Sequence, residues 1–340
     1  LNNTFYFDIQ VPMVKPSIEF PVTIANGAHL VQLPTRLTVA EAIAFKTKCK
    51  DLMQESPSRL ILDFGHTTFI DSSGIGSLIS CLRLAQTNRT DVILWSVHPE
   101  VRMAFSLADL DDILKIEPAT QALTPTATRR SQHRPPITHP SVRSKVKRLV
   151  DIVGALVGLG ITALLFVPLV IAIKLDNPGP IFFRQTRCGW MGKRFQLWKF
   201  RSMVANAEAL KSQVKNEVEG AFFKNAKDPR ITRVGRFLRK TSLDELPQFW
   251  NVLMGDMSLV GTRPPTADEV DRYEVPNWQR LDVKPGMTGE WQVNGRSQVS
   301  NFEDVIQLDL RYQERWNLVY DLRLILQTIL VIFTKNKGAF

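Results

Sequence analysis

The sequence predicts an α/β protein built in two parts, a layered N-terminal domain followed by a membrane-associated α/β half. Three observations carry that prediction. Across residues 17–118, short apolar runs alternate with amphipathic stretches at helical spacing, an order that builds a sheet layered with helices. Residues 149–173, LVDIVGALVGLGITALLFVPLVIAI, are apolar over a length that can enter a bilayer. The charge is also split: residues 1–142 hold 13 Lys/Arg and 13 Asp/Glu, so the whole excess of +10 falls in 143–340. A basic half beside an apolar run points to lipid and phosphate as partners, and away from nucleic acid. Cys49, Cys81 and Cys188 have neither disulfide-framework nor metal spacing, which fits a reducing compartment. The sequence opens on Leu1 without a signal-peptide pattern, so its natural N-terminus is expected to lie upstream.

In chain order, HLVQLP (29–34) reads as a strand and TVAEAIAFKTKCKDLMQE (38–55) as an amphipathic helix. RLILDFG (59–65) is a buried strand, DSSGIGSLISCLRLAQ (71–86) a second helix, and DVILWSV (91–97) another strand. PEVRMAFSLADL (99–110) and ILKIE (113–117) close the series as helix and strand. The stretch ILDFGHTTFIDSSGIGSLISCLRLAQ resembles the STAS domain of anti-sigma factor antagonists. That resemblance implies a regulatory domain over residues 1–117, a regulatory protein or kinase as partner, and Ser73 as the phosphorylated serine. Asp71, Ser72 and Ser73 are equally suited to capping the helix.

Residues 118–144 are rich in Pro, Thr, Ser and Arg and lack apolar periodicity, so they read as a flexible linker with His133 and His139 in solvent. Residues 145–178 hold the membrane element. Pro168 interrupts it and both flanks are basic: Lys145, Lys147 and Arg148 before, Lys174, Arg184 and Arg187 after. Pro bends a helix, and two basic flanks place both ends on the cytoplasmic side. The expected form is re-entrant, with the bend at Pro168.

The remaining segment, 179–340, begins with a hairpin, IFFRQTRCG and KRFQLWKFRSM around Gly189–Gly192, on which Lys199 and Arg201 share a face. MVANAEALKSQVKNEVEG (203–220) reads as a polar helix. DPRITRVGRFLRKTSLDELPQFWNVLMGDMSLVGTRPP follows. It sets a row of cations (Arg230, Arg233, Arg236, Arg239, Lys240) beside the adjacent carboxylates Asp244 and Glu245, with Arg263 just beyond. Arg grips phosphate oxygens and carboxylates hold Mg²⁺. Ser242–Glu245 also fits a capping box, and spacing alone leaves cap and active site open. VKPGMTGEWQVNGRS (283–297) is a Gly-rich loop containing Arg296, and the last apolar residues are amphipathic.

SLDELPQFWNVLMGDMSLVGTRPP resembles the central segment of the bacterial sugar transferases, the monotopic phosphoglycosyl transferases. KRLVDIVGALVGLG, GPIFFRQTRCGWMGKRFQLWKFRSM, KPGMTGEWQVNGRS and LDLRYQERWNLVYDLRLILQTI extend the resemblance over roughly 145–335. It implies a catalytic domain on the cytoplasmic face of the bacterial inner membrane. The implied reaction moves a sugar-1-phosphate from a UDP-sugar to polyprenol phosphate, releasing UMP. In it Asp244 is the nucleophile, held ionised by nearby cations, and Glu245 with Asp244 the Mg²⁺ site. Lys199, Arg201, Arg230, Arg263, Arg296, Asp309 and Asp321 are the substrate-binding candidates. The family carries Ser-Pro at its helix bend; here the pair is Val167-Pro168. The rival reading is a membrane-bound STAS scaffold that binds phosphate or lipid without chemistry. It leaves the paired carboxylates without a purpose.

Overall fold

Three parallel strands, β2 (Ala28–Gln32), β4 (Arg59–Asp63) and β6 (Asp91–Trp95), form the centre of the N-terminal sheet. The computed structural model describes residues 18–25, 27–117, 138–210, 214, 225, 228–294 and 302–334. On one side of the sheet β1 (Val22–Ala25) adds antiparallel to β2; on the other β7 (Ile116–Glu117) adds parallel to β6. A parallel pair, β3 (Arg36–Leu37) with β5 (Phe69–Ile70), sits apart. The helices between strands are α1 (Val39–Gln54), α2 (Ser72–Thr87) and α3 (Pro99–Leu107). Each starts as its sequence directs. Thr38 and Glu41 close a capping box on α1, Asp71 accepts from the Gly74 N–H at the start of α2, and α3 opens on Pro99.

The described end of the linker is not in solvent. His139 caps α4 (Pro140–Arg143), its Nε2 donates to the Gln313 carbonyl (3.0 Å), and its ring meets Trp316 edge-on. The expectation that His139 is solvated is therefore corrected; His133 lies outside the described residues.

α5 (Lys145–Asp176) is one helix of 32 residues, about 48 Å long at 1.5 Å per residue. It continues through Pro168, so the expected bend does not end the helix, although Pro168 has no N–H to give the Leu164 carbonyl. Its two faces differ. Lys147, Asp151, Ala155 and Gly158 in its first half, and Leu169 and Ile173 near its end, are buried against the following domain on one side of the helix. Leu149, Val153, Leu156, Leu164, Val167, Ile171 and Leu175 point outward and are exposed, Leu164 by 80%. An apolar outer face of this kind suits a bilayer surface. Both ends of the helix are held by the same body, as a re-entrant helix requires. At the start, Lys147 Nζ reaches Asp321 (2.6 Å) and the Val260 carbonyl (2.9 Å), while Asp151 accepts from Ser258 Oγ and the Leu259 N–H. At the finish, Asp176 accepts from the Val234 N–H and Arg201 donates to the carbonyls of Asn177 and Pro178. Between them, a Cβ on Gly158 would stand 2.4 Å from the Phe249 ring, so the close approach needs glycine there.

The rest of the chain wraps this helix. β8 (Phe182–Cys188) and β9 (Arg194–Phe200) form the expected antiparallel hairpin. The described part of 203–220 is turn instead of the expected helix, and most of the remainder lies outside the described residues. α6 (Arg233–Lys240) and α7 (Gln248–Met254) flank the carboxylate pair. β10 (Ser258–Val260) pairs in parallel with β11 (Gly286–Thr288), with α8 (Ala267–Val270) and a 3-10 segment, Val275–Leu281, between them. α9 (Glu290–Asn294), α10 (Phe302–Arg315) and α11 (Leu318–Thr334) complete the domain. α11 turns Leu324 and Asp321 inward and leaves Leu322, Leu326 and Ile329 exposed.

The two domains do not sit apart. One apolar core holds N-terminal residues such as Leu37, Ile75 and Leu78 together with Met191, Val270, Tyr273, Trp278 and Leu281 of the second domain. Ser73, the serine that the STAS resemblance implies is phosphorylated, is 0% exposed inside this assembly. A kinase cannot reach it in this arrangement.

Candidate active site

The carboxylate pair sits on a one-turn 3-10 helix, Leu243–Glu245, between α6 and α7. Its neighbours in sequence place it: Leu243 and Leu246 pack with Leu169, Ile173, Phe200 and Leu238, so the turn is bolted to α5 by its apolar residues. The capping-box reading does not survive. Ser242 is left-handed (φ 56°) and makes no side-chain cap bond; a box needs an extended N-cap. The pair therefore has no capping task.

Asp244 is 6% exposed. Burial pushes its carboxyl above the usual carboxylate range; Lys199 and Arg239 pull it down, and Glu245 pushes it up. Desolvation is the largest of these influences, and the Lys199 and Arg239 cations work against it. Glu245 is ion-paired to Lys199 of β9 (2.8 Å). Arg239 Nε donates to Ser202 Oγ (2.9 Å). Its companions Arg233, Arg236 and Lys240 face outward on α6 beside exposed Phe237.

A second cationic group adjoins this one. Arg263 forms a two-point pair with Glu269 (2.8 and 3.1 Å). Arg187, on β8, lies within electrostatic reach of Arg263, Glu269 and Glu245 and so links the two groups. Burial, then the charge of Arg263, brings its guanidinium down to about 10. It donates to the Pro264 carbonyl (2.9 Å) and Gln185 Oε1 (2.6 Å), and its buried Nε has no partner among the described residues. A buried N–H without an acceptor is costly, and an anionic ligand would satisfy it. Sequence reading passed over Arg187 as a membrane flank. The signal was there, since strand alternation sets Arg187 on the same face as Gln185.

The other candidates are placed elsewhere. Arg230 is locked on buried Asp228 by Nε (2.9 Å) and Nη2 (2.7 Å), adjoining Arg239. Arg201 clamps the end of α5. Asp309 is buried on Arg280, whose guanidinium also donates to Tyr273 Oη (2.7 Å) and the Arg263 carbonyl (3.1 Å). Burial drives the Asp309 carboxyl up, with Arg280 opposing. Asp321 holds Lys147, Tyr312 Oη (2.9 Å) and Trp316 Nε1 (3.0 Å). Arg296 lies outside the described residues. The structure thus gathers Asp244, Glu245, Lys199, Arg239, Arg187 and Arg263, and gives Arg201, Asp309 and Asp321 internal anchoring contacts.

No cluster of three or more metal-ligating side chains occurs among the described residues. Two adjacent carboxylates still fit Mg²⁺ of the kind that fills its remaining positions with water and phosphate oxygens.

Buried Asp244 beside partly exposed Glu245, with Lys199 and arginines around them on a domain packed along an apolar helix, makes a site suited to an anionic ligand. Residues 142–335 match the family model described as "Bacterial sugar transferase", and the chain belongs to that family. Residues 19–123 match the STAS domain. The chain is 48% identical over 188 residues to the "Galactosyl transferase CpsE" of Streptococcus agalactiae, covering 55% of this chain and 42% of that protein. It is 36% identical over 274 residues to the "UDP-glucose:undecaprenyl-phosphate glucose-1-phosphate transferase" of Caulobacter vibrioides, covering 77% and 96%. Among solved structures, the unphosphorylated anti-sigma factor antagonist SpoIIAA matches 30% of this chain and 90% of its own, at 21% identity and a TM-score of 0.28. The chain spans only about two fifths of the length of relatives such as the streptococcal one (42%).

Proposed function

We propose that the protein transfers a sugar-1-phosphate from a UDP-sugar to undecaprenyl phosphate on the cytoplasmic face of the inner membrane. The observation that carries this reading is buried Asp244 beside the partly exposed Glu245, among Lys199, Arg239, Arg187 and Arg263, seated on the helix with an exposed apolar face. A carboxylate oxygen of Asp244 attacks the sugar-bearing phosphorus of the UDP-sugar. The bond to the bridging oxygen breaks and UMP leaves with the electron pair. A phosphate oxygen of the polyprenol phosphate then attacks the aspartyl phosphorus. This frees the Asp244 carboxylate and yields the sugar on a lipid diphosphate. Mg²⁺ on Glu245 and Asp244 would neutralise diphosphate charge. Arg187 and Arg263 are suited to hold the diphosphate and the departing UMP by charge-assisted hydrogen bonds. Charge neutralisation also returns Asp244 toward the ionised form that burial disfavours.

The reading is tested by UMP release from a panel of UDP-sugars, with Mg²⁺, undecaprenyl phosphate and detergent-solubilised protein. Asp244→Asn is expected to abolish release while the protein stays folded, because an amide is a poor nucleophile. Turnover by the Asn variant at the wild-type rate contradicts the mechanism. Binding of UDP-sugar without any UMP release, across the whole panel, favours the scaffold reading.

A further inference from the structure

We propose that the STAS domain is a positioning part of the catalytic half: α2 presses on Val275–Leu281, and that segment sets Arg280 and, through it, Arg263. The proposal rests on the reading of Arg263 as a ligand-binding residue of the transferase site.

The contact is specific. Gly76 of α2 lies under the indole of Trp278, where a Cβ would stand 2.4 Å from the ring. The Ser72 N–H donates to Asp282 Oδ1 (3.0 Å), and the Ser72 hydroxyl meets Met191 Sδ (3.4 Å). At the rim Lys46 pairs with Glu274 (2.5 Å) and Arg83 with Asp271. The segment is a 3-10 helix, a form with poor hydrogen-bond geometry that depends on packing for its shape. Trp278 and Asp282 face the STAS domain. Arg280, between them, faces the other way and is 0% exposed. Its guanidinium holds the Arg263 carbonyl, Tyr273 Oη and Asp309. A guanidinium with no access to water keeps its position only while all of its acceptors keep theirs. Moving Trp278 therefore moves the main chain of Arg263. The same contact engages Ser72, next to the buried Ser73, so any partner or kinase that takes the start of α2 must first lift it off this segment.

The experiment is a bump and a matching hole in the full chain. Gly76→Leu drives a side chain into the indole; adding Trp278→Ala opens space for it. Amide hydrogen exchange and UMP release from UDP-glucose, the probe substrate, are read on each variant in detergent. Gly76→Leu is expected to speed exchange at 275–282 and at 262–264 and to raise the UDP-glucose KM about tenfold or more. The double variant is expected to come back to within about threefold of Trp278→Ala alone. If Gly76→Leu loses protection in β4 and β6, its own domain has failed. The paired reversal Lys46→Glu with Arg83→Glu, at the exposed rim, then replaces it with the same expectations. Faster exchange at 275–282 with 262–264 and KM unchanged overturns the proposal. So does the absence of any exchange change at 275–282. Failure of the wild type to turn over any UDP-sugar refutes the transferase reading alone, because the exchange at 262–264 still reports the coupling.

Discussion

Replacing Lys147 by Met should cost about 3 kcal/mol, and the structure says why the cost is of that size. Lys147 and Asp321 are each buried, 2.6 Å apart, and tie the start of the membrane helix to α11. Removing one member of a buried pair strands the other charge, typically at about 3–5 kcal/mol. Asp321 would keep Tyr312 Oη and Trp316 Nε1 as donors, which argues for the lower end. On a scale of about 2–4 °C per kcal/mol for a domain of roughly 200 residues, thermal unfolding of the solubilised protein should fall by about 6–12 °C. Asp321→Leu alone should lose as much, since it strands a buried ammonium. The double variant Lys147→Met/Asp321→Leu should be more stable than either single one, because no buried charge is left unpaired. Losses that simply add in the double variant, or single variants within about 1 °C of wild type, would refute the claim that this pair fastens the helix to the catalytic body.

Three further outcomes follow from the same geometry. Arg187→Gln should lower UMP release about a hundredfold, in line with loss of a charge-assisted ligand contact, while thermal unfolding moves little; wild-type kinetics would remove Arg187 from the site. Burial, Asp282 and Glu41 raise the Asp71 carboxyl to about 7, against the Gly74 and Ser73 N–H groups. Asp282 is raised too, chiefly by burial. A carboxyl raised on folding is favoured in its protonated form, so its contact is strongest below the unfolded value near 4 and weakens as pH rises to about 7. Exchange at 275–282 should therefore be slower near pH 5 than near pH 8 once corrected for intrinsic rates, and Asp71→Asn should flatten that difference; a pH response identical in wild type and Asn variant would contradict it. Gly158→Leu should separate α5 from Phe249 and lower unfolding by several degrees, whereas the same change at Gly160, which faces open space, should be tolerated.

Local signals read well from the sequence because local physics sets them. The helices of the N-terminal domain announce themselves by caps, as at Thr38–Glu41 and Asp71, and by apolar spacing. The β8–β9 hairpin follows from two alternating runs around a glycine pair. What the sequence did not show depended on contacts between distant segments. The capping box at Ser242 has the right residue types, yet α6 and the turn force Ser242 left-handed. Asp244 looked like a carboxylate among cations, but Leu243 and Leu246 draw it against α5, where desolvation dominates. Arg201, Asp309 and Asp321 have the chemistry of phosphate and metal sites, and the fold also gives them buried contacts that fasten α5 and Arg280. The contact of Gly76 with Trp278 joins residues about two hundred positions apart, which no periodicity can reveal. A tryptophan in the short stretch VPNWQRL was its one local trace.

The most direct test of the account is the mass of the protein after mixing with UDP-sugar and Mg²⁺ in the absence of any lipid acceptor. The account predicts an added sugar-phosphate mass, mapped by peptide fragmentation to Asp244, and its loss when undecaprenyl phosphate is supplied. An enzyme that turns over with lipid but never carries that mass under rapid quench, or carries it on a residue other than Asp244, would contradict the proposed mechanism.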